Sequence, residues 1–143
     1  MASKIPRTRN CGRWTEAQFR SFIRSLLRRG SVRWSPRAKI VSDAFVENGV
    51  NPDTGRRCKL HRCSSCSALV AKKDMVADHI IPVVDPVMGF TNWDDFIHRL
   101  FCEMDNLQAI CKVCHAAKTK DERAVRTKSK AIRKRKLNAV QNK

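Results

Sequence analysis

Two Cys-x-x-Cys pairs, Cys63-Ser-Ser-Cys66 and Cys111-Lys-Val-Cys114, constrain this chain more than any other feature. A two-residue gap lets both sulfurs of a pair reach one ion. Two such pairs complete a tetrahedral site of the structural zinc type, with no position left for water. The 44 residues between the pairs are more than a compact zinc ribbon uses, so the ion would tie the beginning of one region to its end. For a chain of 143 residues that cross-link can decide whether the centre folds at all. The competing reading is that one or both pairs are buried free thiols. Cys11, Cys58 and Cys102 read as incidental or buried thiols, although Cys58 and His61 lie near enough to the first pair to substitute as ligands.

Charge sets the same stretch apart. The chain holds 30 Lys and Arg against 13 Asp and Glu, a formal net charge of +17. Residues 1–62 carry 15 basic and 4 acidic side chains, residues 63–115 carry 4 and 7, and residues 116–143 carry 11 and 2. Two basic flanks thus bracket an acidic centre. That pattern suits an enzyme acting on a polyanion, because flanks hold phosphates while central carboxylates hold a metal. No run of 18 apolar residues argues for a membrane span, and MASKIPRTRN lacks the apolar core of a signal peptide. The expectation is a cytoplasmic protein, not secreted, whose cysteines are metal ligands or thiols and not disulfides.

Along the chain, residues 1–13 read as a disordered basic arm. A helix follows, with Thr15 and Gln18 at capping-box spacing and Trp14 and Phe19 placed as a hydrophobic staple. Phe19, Phe22, Ile23, Leu26 and Leu27 form its apolar face, and Gly30 is its expected C-cap. Ser35-Pro36 opens a second helix expected to stop near Asn48-Gly49. Residues 51–57 read as a loop, and short strands follow from Cys58, one of them running from Met75 to Ile81. Residues 92–101 form a short helix, and another starts near Val113. The Lys/Arg-rich end is expected to be helical only on a partner.

Between the pairs lies Val76-Ala-Asp78-His79-Ile-Ile-Pro82. An Asp-His pair inside an apolar strand is costly to bury unless a charge answers the carboxylate, and a divalent cation at Asp78 would do so. Neighbours on a strand point to opposite faces, so Asp78 and His79 converge only if the strand ends, bulges or twists there. Asn106-Leu-Gln follows, and His115 comes directly after the second pair. In order and spacing, DHIIP, DNLQAIC and CKVCHAAKT resemble the motif of HNH endonucleases of the group with two Cys-x-x-Cys pairs. The resemblance covers roughly residues 58–123. The N-terminal helices and GFTNWDDFIHRLFC are also similar to small phage-encoded HNH homing endonucleases.

The resemblance implies an α+β fold with a ββα-metal core, in which two strands and a helix surround one divalent ion. It implies that Asp78 and His115 bind that catalytic ion, Mg2+ or another such as Mn2+. His79 would activate water, and Asn106 would hold the His79 loop or ring by a hydrogen bond. The chemistry is consistent with those roles, because neutral imidazole suits a general base and an ion with few protein ligands keeps positions open for phosphate and water. The expected organisation is a basic arm and helical region over 1–57, the nuclease core over 58–123, and a basic tail over 124–143.

Arg13, Arg20, Arg24 and Arg28 form one cationic surface, and Lys118, Lys120, Arg123 and Arg126 begin another. A solvated helix face and a solubilising tail would look similar, but here acidic residues are few against the basic ones. The expected partner is double-stranded DNA, held through phosphates with little sequence choice. One active site cuts one strand, so the protein either nicks as a monomer or pairs on DNA to break both strands. The alternative function is a non-catalytic, zinc-dependent DNA-binding or regulatory protein, with RNA binding a third reading.

Overall fold

A computed structural model describes residues 5–141 of the chain. It divides into two compact units, Met1–Trp34 and Ser35–Lys143. The boundary expected at residue 57 falls inside the second unit.

In the first unit, strand β1 (Arg7–Arg9) pairs antiparallel with β2 (Trp14–Thr15). The turn between them runs through Asn10, Cys11 and Gly12, all at positive φ, a conformation that glycine and asparagine tolerate best. Residues 5–13 are therefore not the disordered arm expected of them, and residues 1–4 lie outside the described residues. The basic segment finds local partners: Arg9 donates to Glu16 at 2.7 Å and lies 4.7 Å over the Phe19 ring. Helix α1 (Glu16–Ser31) begins with a complete capping box between Thr15 and Gln18. Trp14 packs 5.0 Å from Phe22, and Arg9 lies over the Phe19 ring. Gly30 stays inside the helix. The end is closed one residue later, with the Ser31 hydroxyl donating to the Arg28 carbonyl and the Arg33 and Trp34 amides reaching back three residues.

The second unit opens with α2 (Ser35–Asp43), shorter than expected. Phe45–Val50 is not helix but strand β3, which pairs with β4 (Arg57–Arg62), itself paired with β5 (Leu69–Ala71). The aromatic and β-branched residues of that run are committed by a partner strand, with the Arg62 amide donating to the Ala44 carbonyl at 2.8 Å. Residues 51–56 form the connecting loop, turned by the buried Asn51, whose side chain accepts from the Asp53 amide.

Strand β6 (Met75–His79) pairs with β7 (Leu107–Cys111), and α4 (Lys112–Gln141) follows without a break. Helix α2 packs against both strands, and Arg37 donates to the Ala77 carbonyl at 3.0 Å. Between β6 and β7 lie a loop and α3 (Trp93–Leu100), N-capped by Asn92. Phe96 and Leu100 are buried, and Phe96 meets the Phe90 and Trp93 rings. Buried Cys63, Ile110 and Cys111 form a core cluster, flanked by Val70 and Cys114. The fold is thus α+β.

Helix α4 corrects the expectation of a tail ordered only by a partner. It runs to Gln141, and the Arg133 guanidinium donates to the Met88 and Val87 carbonyls, both at 2.7 Å. Residues 142–143 of the expected tail lie outside the described residues. Among the described residues no helix is long and apolar enough to cross a membrane.

Candidate functional site

The first cysteine pair sits on a turn after β4. The Cys63 amide donates to the Ala68 carbonyl and the Ser67 amide to the Cys63 carbonyl, both at 2.9 Å, with Ser67 in the left-handed region. The Ser64 amide donates to the Ala109 carbonyl at 2.9 Å, which locks this turn onto β7. The second pair straddles the junction of β7 and α4, where chain direction changes from strand to helix. The sulfurs of Cys63, Cys66, Cys111 and Cys114 consequently lie within 4.8 Å of one another. Sulfurs on a tetrahedron with bonds of about 2.3 Å to zinc stand about 3.8 Å apart. The Cys66–Cys111 separation is 3.9 Å. The four cysteines can hold a metal such as zinc.

Electrostatics points the same way. Burial opposes a thiolate at Cys63, but donation from the backbone N–H groups of Cys66, Cys111 and Ser65 outweighs it and brings the thiol down to about 6. At Cys114 a hydrogen bond from Ser65 favours the thiolate, while the Cys111, Cys66 and Cys63 sulfurs around it push the thiol up to about 12. Sulfurs crowded this closely resist sharing negative charge, and a dication among them removes that conflict. Cys58 and His61 are not in the cluster. His61 is buried at 2% exposure, its Nδ1 3.3 Å from the Lys59 carbonyl and its ring edge-on to Phe45.

A polar cluster lies on β6, β7 and the first turns of α4. The register sets Asp78 opposite Gln108 and His79 opposite Leu107. The Asp78 carboxylate is only 14% exposed, and each of its oxygens has partners. Oδ1 faces the His115 Nε2 at 3.7 Å, while Oδ2 accepts from the Gln108 side-chain Nε2 at 3.0 Å and from the Lys118 ammonium at 2.6 Å. Lys118 also donates to the His79 carbonyl and lies 3.5 Å from Glu122. His115 and Lys118 stand three residues apart on α4 and so share a face.

His79 closes β6 and is buried. Its Nε2 lies 3.2 Å from the Leu100 carbonyl at the end of α3. A carbonyl only accepts, so Nε2 is the donor in this contact. The strand ends immediately after His79, where Asn106 takes over. The Ile80 amide donates to the Asn106 carbonyl, the Ile81 amide to Asn106 Oδ1 at 2.8 Å, and Asn106 Nδ2 to the Ile81 carbonyl at 3.3 Å.

The residues singled out for DNA contact have different surroundings. In the first unit, Arg13, Arg20 and Arg28 are exposed and Arg24 is half-buried, and Arg20 pairs with Glu16 at 3.3 Å. On α4, Lys120 and Arg123 are exposed and Arg126 is half-buried. Lys118 is not part of an open cationic surface: its ammonium is committed to Asp78, His79 and Glu122. Sequence reasoning missed Lys118, Gln108 and Glu122 as members of this cluster. The one available signal was that Lys118 follows His115 by three residues on a helix.

The chain matches no family model, no curated protein and no solved structure.

Proposed function

We propose that the protein is a metal-dependent endonuclease of the HNH type that hydrolyses phosphodiester bonds in double-stranded DNA, in the manner of a phage homing endonuclease. The observation that carries this reading is the mostly buried Asp78 carboxylate facing His115 Nε2 at 3.7 Å, on a strand pair that runs straight into a helix. A carboxylate and an imidazole so placed suit a hard divalent ion. In this reading β6, β7 and α4 are the ββα-metal core, and the cysteine cluster is a zinc staple joining β4 to the same helix.

Asp78 and His115 would hold a divalent ion such as Mg2+ or Mn2+, which would supply positive charge for the phosphate oxygens and the departing 3′ oxygen. The chain's own residues do the rest. Nδ1 of His79 accepts a proton from water as the water oxygen attacks phosphorus. The bond from phosphorus to the 3′ oxygen breaks, and the 3′ oxygen takes its proton from solvent. The Leu100 carbonyl holds the ring in the tautomer that leaves Nδ1 basic. Asn106 fixes the backbone just beyond the base. Arg20, Lys120 and Arg123 supply exposed positive charge for DNA phosphates.

The test is a nicking assay on supercoiled plasmid across a Mg2+ and Mn2+ series, with zinc content measured separately. His79→Ala is expected to abolish cutting while zinc content and DNA binding persist; undiminished cutting by that variant would remove His79 as base.

One observation favours a second reading, a non-catalytic zinc-dependent DNA-binding or regulatory protein. The Lys118 ammonium at 2.6 Å already answers the Asp78 charge without a metal. A plasmid that stays supercoiled at every metal concentration, yet shifts in a binding assay, would establish that reading.

A further inference from the structure

The Lys118 ammonium is built into the polar cluster. Its three N–H donors meet three acceptors: Asp78 Oδ2 at 2.6 Å, the His79 carbonyl, and Glu122 Oε1 at 3.5 Å. The Lys118 side chain is 27% exposed and that of Asp78 14%, so the pair is partly withdrawn from water and from screening by salt. A dication bound to Asp78 and a lysine ammonium on the same carboxylate repel each other at short range. His115 faces Oδ1 and Lys118 holds Oδ2, so a dication entering beside His115 competes with the ammonium for the charge of one carboxylate, and each weakens the hold of the other. Glu122 lies one turn further along α4, already within reach of the ammonium and on the side away from His115.

We propose that Lys118 is the resident counter-cation of Asp78, which a divalent ion has to displace, with Glu122 receiving the ammonium when it leaves. The inference rests on the endonuclease reading of Asp78 and His115. Lys118 is then a positioning residue that sets the metal affinity of the site. It holds the Asp78 carboxylate in place beside His115 when metal is scarce, and it raises the metal concentration needed for loading.

The experiment is Mn2+ binding to the zinc-loaded, DNA-free full chain, followed by loss of the free-ion electron paramagnetic resonance signal. Lys118→Met is expected to bind Mn2+ at least about tenfold more tightly than the parent, a free-energy difference of about 1.4 kcal/mol. Lys120→Met removes the same charge from an exposed position on the same helix and is expected to change affinity less than about twofold. Asp78→Asn added to either background is expected to abolish binding. Lys118→Gln serves as a second neutral variant if the methionine disturbs folding, with zinc content as the check. Equal affinities for the Lys118 and Lys120 variants, with binding still lost on Asp78→Asn, would overturn the counter-cation role and leave the metal site standing. Absence of Asp78-dependent Mn2+ binding in every background would overturn the endonuclease reading itself.

Discussion

The Asn106 side chain grips the backbone of Ile81 from both sides, accepting from its amide at 2.8 Å and donating to its carbonyl at 3.3 Å. The two bonds hold the chain at the point where β6 ends, two residues past His79. Ile81 is exposed, so water can replace the lost partners, and Asn106→Ala is expected to cost only about 1 kcal/mol of stability. With His79 as the base we propose, the effect on cleavage should be larger, about a hundredfold, because a small displacement of a base is expensive in rate. Asn106→Asp keeps the acceptor and loses the donor, and should fall between the two. Denaturant unfolding beside single-turnover cleavage checks both numbers. Equal cleavage by parent and alanine variant would show that this clamp does not position His79.

With zinc held by the four cysteines, as we propose, its removal should act on the fold. Cys63 is fully buried in the core cluster and its sulfur also accepts the Cys111 amide at 3.2 Å. Structural zinc sites contribute about 10–16 kcal/mol in small peptides, comparable to the whole stability of a domain, about 5–15 kcal/mol. Cys63→Ser, or prolonged chelation of the parent, is therefore expected to abolish the cooperative thermal transition of the second unit. Cys58→Ser should keep one zinc per chain, since Cys58 lies outside the cluster. Elemental analysis with calorimetry reads both outcomes; a cooperative transition surviving in zinc-free Cys63→Ser protein would show that the core stands alone.

How much of this was legible in the sequence depended on how far apart partners lie. The Thr15–Gln18 box and the N-cap at Asn92 are local, and spacing alone located the box. The cysteine pairs are distant from each other, yet their spacing announces a common ion. Lys118 was read as one charge in a basic run because its partner, Asp78, is 40 residues away and nothing in either neighbourhood names the other. Residues from Phe45 to about Asn48 were read as helix for a similar reason: the strand character of Phe45–Val50 comes from β4, beyond a loop. Arg133 of α4 reaches carbonyls 45 and 46 residues back, a contact that no periodicity encodes.

The capping box of α1 offers a test confined to the first unit. Thr15 Oγ1 accepts the Gln18 amide at 3.3 Å, and the Gln18 side chain accepts the Thr15 amide at 2.8 Å. Thr15→Ala removes one bond of the pair and should cost about 1 kcal/mol. Because the helix face carrying Phe22 and Leu26 is largely exposed, little tertiary packing masks the loss. Helical content by circular dichroism in a fragment ending at Trp34 would be uninformative if that fragment does not fold, so amide exchange across residues 16–20 of the full chain is the measurement. Unchanged protection there would mean that the cap contributes nothing.

Protonation should loosen the turn that receives Arg133. Asp85 Oδ1 accepts the Val87 amide at 2.7 Å and the Met88 amide at 2.8 Å. Those backbone bonds, with the guanidinium charges of Arg99 and Arg133, hold its carboxyl below the usual carboxylate range, and slight burial opposes them. A carboxylate depressed on folding stabilises the folded form at pH values above its unfolded pKa, about 3.9. That contribution is lost as the pH falls through the lower folded value, because the protonated carboxyl accepts less strongly. Amide exchange at Val87 and Met88, normalised to the intrinsic rate, should therefore quicken as the pH falls below about 4. The Ile81 amide is the internal reference, because its acceptor, the Asn106 side chain, does not titrate. Asp85→Asn keeps an oxygen acceptor without the charge, so Val87 and Met88 should show weaker protection that no longer depends on pH. A pH dependence that persists in Asp85→Asn would assign the titration to another group and detach it from this turn.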